Sequence, residues 1–160
     1  MILKSFEIEK IKHSIGRLIL FYGKNEGLKS QALDILIKDT SNISSYEEKE
    51  VLDNENNFIE NILSKSLFEQ QKFIVIKRAT DKILKIIEVL HLKNLRDITI
   101  ILNSDNLEKK SKLRSLFEKD KKLVCVPFYP DNNQTLSKFA YNFLSDKRIS
   151  ISPSNINLIV

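Results

Sequence analysis

The residues best placed to do chemistry lie in residues 23–30, with the sequence GKNEGLKS. This segment follows an apolar run and opens a helical pattern, which is the context of a phosphate-binding loop. Gly23, Lys29 and Ser30 take the first, seventh and eighth positions of the motif G-x-x-x-x-G-K-[ST]. Leu28, however, stands where the motif requires its second glycine. The segment therefore indicates a degenerate P-loop.

The missing glycine predicts that nucleotide binding has been lost. In a working loop this glycine lets backbone N–H groups close around a phosphate at a helix N-terminus. Leu28 brings a Cβ and a bulky side chain into that space, and Gly27 falls one residue too early to replace the glycine. The alternative is a chance match, because any glycine-containing turn between a strand and a helix can resemble the motif.

The chain also lacks the acidic residue that an NTPase uses to hold Mg²⁺ and position water at the end of a neighbouring strand. The apolar run 73–76 continues into Lys77, and the run 98–102 continues into Asn103. Asp105 comes three residues after the second run, too late to serve. We therefore expect no metal-assisted phosphoryl transfer, no cofactor and no metal site.

The composition fits one soluble, globular domain with the start of another. The chain has 160 residues, of which 42% are hydrophobic and 29% charged. A single cysteine, Cys125, excludes a disulfide framework, and His13 and His91 have no neighbouring cluster of metal ligands. No apolar run approaches the roughly 20 residues that span a bilayer, so we expect a cytoplasmic protein.

Apolar runs alternate with helical patterns, which predicts an α/β fold with a parallel sheet of about five strands. Most of the runs are apolar on successive residues, as in strands that helices cover on both faces. The run 44–51 is the exception, and we expect it at an edge of the sheet. The predicted strands are residues 17–22, 44–51, 73–76, 98–102 and 123–128.

A second, helical unit is predicted from residue 131. A turn cluster at residues 129–132 precedes an apolar stripe that no strand follows closely. Ser152 and Pro153 then indicate an N-cap and the first position of another helix. Because that helix has a start signal and no stop signal, we expect the chain to be the N-terminal part of a longer protein.

The segment 108–122 is rich in lysine and is predicted to be one helix. Leu113, Leu116 and Phe117 would face the core while basic residues face water. Such a face is usually only solvated, but it could also contact a phosphate backbone or an acidic protein. The residues that would make this contact are Lys109, Lys110, Lys112 and Arg114.

Two large apolar residues, Leu67 and Phe68, follow Ser66 in a loop before the third predicted strand. Apolar side chains of this size are most often buried in the core. The alternative is that they are exposed and anchor a partner protein.

Taken in order, these segments resemble the delta subunit of bacterial DNA polymerase III, the clamp-loader subunit that opens the sliding clamp. The resemblance covers about residues 17–145. It rests on residues 22–28 (YGKNEGL), 66–68 (SLF), 110–119 (KSKLRSLFEK) and 127–131 (PFYPD). It implies an AAA+ fold, with a RecA-like α/β domain at residues 1–130 and the start of a helical lid at residues 131–160. The helical collar of the full family protein would be absent.

The resemblance also implies a function without intrinsic catalysis. Delta subunits keep the AAA+ architecture but leave ATP hydrolysis to partner subunits, which agrees with the degenerate P-loop. Leu67 and Phe68 would act as an apolar wedge in a pocket of the β sliding clamp, with Ser66 at its flank. The other partners would be the tau/gamma ATPase subunits and the delta-prime subunit. The chain would contact primer-template DNA only within the assembled clamp loader. That loader belongs to a DNA-directed DNA polymerase, which is a nucleotidyltransferase.

Two other functions stay open on the residues alone. A small, active P-loop NTPase could tolerate Leu28, and it would bind Mg²⁺-ATP saturably. A plain nucleic-acid-binding domain could use the basic segment, and it would bind DNA with a steep dependence on salt.

Overall fold

Runs of consecutive apolar residues form the strands of a parallel sheet in this chain. The computed structural model describes residues 1–12, 17–38, 42–63, 72–93, 95 and 97–160. The chain divides into two compact units, Met1–Phe128 and Tyr129–Val160. The strands are β1 (Leu18–Tyr22), β2 (Ile43–Glu47), β3 (Lys72–Lys77), β4 (Ile98–Ser104) and β5 (Val124–Pro127).

The helices of the first unit connect its strands, except for the first helix, which precedes β1. They are α1 (Glu9–Lys12), α2 (Glu26–Ile37), α3 (Glu48–Asp53), α4 (Glu55–Leu63), α5 (Leu84–His91) and α6 (Lys112–Lys119). Short 3₁₀ helices precede α1 at Ser5–Glu7 and α5 at Asp81–Ile83.

The five strands pair in the order β2-β3-β4-β1-β5, and every pairing is parallel. The predicted parallel α/β sheet is therefore confirmed. In this order β1 lies inside the sheet, where Phe21 is level with Asn103 of β4 and Val126 of β5. The loop after β1 consequently leaves from the carboxyl edge of the sheet, the edge at which parallel α/β sheets bind ligands.

Alternate residues of β1 supply the two cores of this unit, because successive strand residues point to opposite faces. Leu18 and Leu20 join the core that α3, α4, α5 and α6 cover. Ile19 and Phe21 join the other core, which α2 and the N-terminal segment cover. Burial on both faces explains the unbroken apolar sequence of β1.

The prediction of a strand at residues 44–51 is wrong for residues 48–51. β2 occupies the expected edge position but ends at Glu47, and α3 begins at Glu48. The backbone N–H of Glu47 donates to Glu50 Oε2 at 2.8 Å, the contact of a capping box. Val51, which we placed in the strand, is buried from α3 instead.

The N-terminal residues extend the sheet beyond β5, a pairing that no sequence pattern predicted. Ile2 forms a parallel bridge with Cys125. The Leu3 N–H donates to the Cys125 carbonyl at 2.9 Å, and the Cys125 N–H donates to the Met1 carbonyl at 2.9 Å. This segment pairs with backbone groups on the open side of β5, which would otherwise form an exposed sheet edge.

The second unit contains α7 (Asn133–Asp146) and α8 (Pro153–Ile159). Asn132 caps α7 by accepting a hydrogen bond from the Thr135 N–H at 3.0 Å. Ser152 caps α8 by accepting one from the Asn155 N–H at 3.2 Å, with Pro153 at the first helical position as predicted. Among the helices that the structure describes, none is sufficiently long and apolar to cross a membrane.

Candidate functional site

The loop after β1 is much shorter than a phosphate-binding loop. β1 ends at Tyr22 and α2 begins at Glu26, so only residues 23–25 connect them. Gly27 and Leu28 lie in the first turn of α2, which places the second half of the degenerate motif inside the helix. A phosphate-binding loop instead holds these positions in a concave turn of backbone N–H groups.

The backbone N–H groups of this loop bind oxygen atoms of the chain itself. The Gly23 N–H donates to the Asp105 carbonyl at 3.1 Å, and the Asn25 N–H donates to the Phe128 carbonyl at 3.3 Å. The Asn25 side chain caps α2 by accepting a hydrogen bond from the Leu28 N–H at 3.1 Å. Three of the donors that could surround a phosphate are thus already engaged.

Gly23 is required here by a close contact between backbones. Its φ is +125°, a value that residues with side chains rarely adopt. A Cβ at this position would lie 2.0 Å from the Phe128 carbonyl oxygen. The Phe128 N–H in turn donates to the Tyr22 carbonyl at 2.7 Å, so β1 and the end of β5 are joined beside the loop. The glycine therefore has a structural role even without a phosphate.

Lys29, the lysine of the motif, is held inside the fold. Its side chain is only 1% exposed. The Nζ atom donates to the Ser104 carbonyl at 2.9 Å and lies 2.5 Å from Glu26 Oε1. A backbone carbonyl and a carboxylate therefore take the bonds that a P-loop lysine offers to phosphates. Ser30, whose counterpart in a P-loop binds Mg²⁺, is exposed.

An NTPase would carry its acidic residue at the end of β3 or β4, but β3 ends at Lys77 and β4 ends at Ser104. Lys77 ends β3, and Arg78 follows in a left-handed conformation with φ of 54°. Arg78 Nη2 lies 2.7 Å from Glu47 Oε2 at the end of β2. Asp105 contributes its carbonyl to Gly23 rather than its carboxylate to the loop. In the part of the chain that the structure describes, no group of three or more histidines, cysteines or acidic residues could hold a metal.

The basic segment is only partly helical, so its prediction as one helix over residues 108–122 is wrong. α6 covers Lys112–Lys119, while Lys109 and Lys110 lie in the turn before it. Ser111 ends that turn as the N-cap, because its Oγ accepts a hydrogen bond from the Arg114 N–H at 3.1 Å. A serine four residues into a lysine-rich run is thus the signal that starts the helix.

Arg114 differs from Lys109, Lys110 and Lys112, the other residues of the predicted basic contact surface. Its side chain is 15% exposed. Nε donates to Glu118 Oε1 at 2.8 Å, and Nη1 donates to the Leu107 carbonyl at 3.0 Å. The guanidinium also lies over the Tyr22 ring, 4.8 Å from its centroid. Arg114 joins α6 to β1, whereas Lys109, Lys110 and Lys112 are exposed.

Asp81 fixes the start of α6 from a distant part of the sequence. Its Oδ1 accepts hydrogen bonds from Ser111 Oγ at 2.6 Å and from the Leu113 N–H at 3.0 Å. Its Oδ2 accepts one from the Lys112 N–H at 3.2 Å. These contacts, the Ser111 hydroxyl first, lower the pKa of Asp81 below its usual value. No local pattern could predict a cap supplied from 30 residues away.

Replacing Asp81 with asparagine should destabilise the fold by about 1 to 2 kcal/mol at neutral pH, because a charged helix cap is lost. Since the pKa of Asp81 is lowered by folding, its contribution is complete above the unfolded pKa. It begins to fall near the unfolded pKa, at about pH 4, and disappears as pH falls through the lower folded pKa, so the two proteins should converge only below the folded pKa.

Urea unfolding at several pH values measures this difference. Asp34→Asn is the control, because Asp34 is exposed on α2 and should change stability by less than about 0.5 kcal/mol. A difference between wild type and Asp81→Asn that stays constant down to the lowest pH would contradict the capping role.

The proposed wedge residues Ser66, Leu67 and Phe68 lie outside the described residues. α4 ends at Leu63 and β3 begins at Lys72, so the segment connects these two elements. The assignment of Leu67 and Phe68 as clamp anchors therefore stays a prediction.

Comparison with known proteins identifies the fold of the chain. No protein-family model matches the chain, and no curated protein matches it. Among solved structures, a Bacillus subtilis DNA clamp loader delta protein matches with a TM-score of 0.69 and 14% identity, over 98% of this chain and 51% of that one. A Walker-type ATPase of Pyrococcus abyssi matches with a TM-score of 0.55 and 13% identity, over 97% of this chain and 61% of that one.

The replication initiator DnaA, bound to AMPPCP and single-stranded DNA, matches with a TM-score of 0.55 and 18% identity, over 96% of this chain and 52% of that one. The chain thus spans about half the length of the clamp loader delta protein. At these identities the comparisons establish architecture. The predicted AAA+ fold is confirmed: the chain has the fold of a clamp loader delta protein and of AAA+ and Walker-type ATPases.

Proposed function

We propose that this chain acts as a non-catalytic clamp-loader subunit that binds the β sliding clamp and helps to open it for loading onto primed DNA. One observation carries the proposal: an AAA+ fold whose nucleotide-binding loop is closed by its own residues. The likeness to a clamp loader delta protein over 98% of the chain supports this choice among AAA+ functions.

The closed loop argues against the rival function of a small P-loop NTPase. For a nucleotide to bind as in a P-loop, Asn25 would have to release the N-terminus of α2, and Lys29 would have to leave the Ser104 carbonyl. Each buried polar group left without a partner costs about 1 to 3 kcal/mol. Leu28 also packs against the core that α2 covers. Nucleotide binding would therefore require rebuilding the first turn of α2.

Such a subunit can open the clamp only if its affinities for the open and the closed forms of the ring differ. A protein shifts a ring from closed to open only if it binds the open form more tightly. We propose that Leu67 and Phe68, flanked by Ser66, provide that preference by inserting into an apolar pocket of the clamp. The energy for the cycle would come from the tau/gamma ATPase subunits, with delta-prime completing the assembly. Contact with primer-template DNA would occur only within that complex of the polymerase III holoenzyme.

Calorimetric titration of the chain with Mg²⁺-ATP should give no binding heat beyond dilution, because the loop donors and Lys29 are already engaged. A nucleotide-binding protein of known affinity provides the positive control. Lys29→Met is the matched variant, since it keeps most of the side-chain volume and removes the charge. Micromolar binding of Mg²⁺-ATP by the wild type that disappears in Lys29→Met would instead support the function of a P-loop NTPase.

Capture of the cognate β clamp by the immobilised chain, without nucleotide, tests the partner in this proposal. The chain should retain the clamp at moderate salt and retain no unrelated ring protein. Failure to retain the clamp would contradict the proposed function and would leave the AAA+ fold unaffected.

A further inference from the structure

An open groove lies between α5 and α6. It has a volume of about 630 Å³. Its floor includes Leu84 of α5 and Leu116 of α6, which also pack against the main core. Four lysines line it: Lys109, Lys110, Lys112 and Lys119. The groove therefore combines an apolar strip with a cationic border.

Hydrogen bonds hold the two helices in place at both ends of the groove. Asp81, just before α5, binds the N-terminus of α6 through Ser111. At the opposite end, His91 Nε2 of α5 lies 2.8 Å from Asp120 Oδ2, immediately after α6. The helices consequently run parallel, and the backbone that carries the lysines is fixed before any partner arrives. Preorganisation of this kind reduces the entropic cost of binding.

The charges of the groove favour an anionic occupant. Its four lysines face two carboxylates, Glu88 and Asp120, and the Asp120 side chain already binds His91. Lys110 also pairs with Glu108 at 3.0 Å. Both of these side chains are largely exposed, so the pair contributes little and can be exchanged. An incoming carboxylate would thus meet several ammonium groups at the border of the groove.

The leucines distinguish between the two anionic partners that the sequence left open. A phosphate backbone has no apolar group that would bury Leu84 and Leu116. An acidic peptide can place carboxylates on the lysines and an apolar side chain on the leucines. We propose that the groove between α5 and α6 binds an acidic segment of a partner protein that carries apolar residues between its carboxylates.

This inference does not depend on clamp binding, because it uses α5 and α6 rather than residues 66–68. The test measures fluorescence anisotropy of a labelled peptide in which pairs of glutamates alternate with single leucines. Two further probes are a peptide with serine in place of every leucine and a single-stranded DNA of equal charge. We expect the leucine-containing peptide to bind at least about tenfold more tightly than either, a difference of about 1.4 kcal/mol.

Charge reversal locates the site on the protein. Lys112→Glu with Lys119→Glu should weaken binding of the leucine-containing peptide by about tenfold or more, since two attractive contacts become repulsive. The matched control reverses Lys138 and Lys147, exposed lysines of the second unit. It should change the affinity by less than about threefold, the residual long-range effect of charge at physiological salt. Thermal melting checks that all variants fold.

Four results would overturn the proposal. Equal binding of the serine peptide would show that the leucines have no role. Tighter binding of the DNA, reduced by the groove variants, would make the groove a nucleic-acid site. Absence of peptide binding, or an equal loss in the control variant, would remove the groove as a specific site.

Discussion

Replacing Leu67 and Phe68 together with alanine is expected to weaken binding to the β clamp about thirtyfold or more, or roughly 2 kcal/mol, with little change in melting temperature. Two large apolar side chains that fill a pocket on a partner carry much of the affinity of an interface. Surface plasmon resonance with immobilised clamp measures the affinity, and differential scanning calorimetry measures the stability.

The control for this experiment uses the same residue types at two positions that the structure shows to be exposed. Leu92 is 84% exposed after α5, and Phe6 is 78% exposed near the N-terminus. Leu92→Ala with Phe6→Ala should leave clamp affinity within about twofold, because isolated surface apolar residues are common and need no partner. If Leu67 and Phe68 are core residues instead, their removal will lower stability by about 2 to 5 kcal/mol each. A folded double variant that binds the clamp at wild-type strength would contradict the wedge.

Gly23→Ala is expected to destabilise the first unit by roughly 3 kcal/mol or more, whether or not nucleotide is present. The new Cβ would lie 2.0 Å from the Phe128 carbonyl oxygen, and the backbone at φ of +125° is strained for alanine. Relief requires movement of the backbone, which weakens the bond from the Asn25 N–H to Phe128. Urea unfolding followed by circular dichroism measures the loss.

Gly27→Ala provides a control, because its expected effect on stability has the opposite sign. Gly27 lies in the first turn of α2, and a Cβ there would meet only Asn25 Oδ1 at 3.7 Å, an ordinary contact. Gly27→Ala should therefore stabilise the protein by about 0.5 kcal/mol, because alanine favours helix more than glycine does. Similar effects at the two positions would mean that the close approach at Gly23 is wrong.

The departure from the P-loop motif is visible in the sequence, but the contacts that close the loop are not. Leu28 at the glycine position predicts loss of nucleotide binding, and that loss stays a prediction. The closure itself depends on contacts of Gly23 with Asp105 and of Asn25 with Phe128, residues that are far apart in the chain. One local signal was available, since asparagine is a favoured N-cap and Asn25 marks an early start for α2.

The sheet was predictable because its strands are buried on both faces and therefore apolar on successive residues. The edge strand β2 has one exposed face, so its pattern weakened and its end was misplaced at Val51 instead of Glu47. The bridge between Ile2 and Cys125 had no sequence signal, because pairing at a sheet edge depends on register across most of the chain. The cap that Asp81 provides for α6 was missed because Asp81 lies 30 residues from Ser111, so no local pattern connects them.

The affinity of this chain for its cognate β clamp, measured by isothermal titration calorimetry with and without Mg²⁺-ATP, tests the proposed function most directly. The closed loop and the proposed wedge together predict saturable binding with the same dissociation constant in both conditions. Binding that appears only with Mg²⁺-ATP would contradict a nucleotide-independent subunit. Absence of binding at clamp concentrations up to about 100 μM, weaker than roughly −5.5 kcal/mol, would contradict the assignment as a clamp-binding subunit.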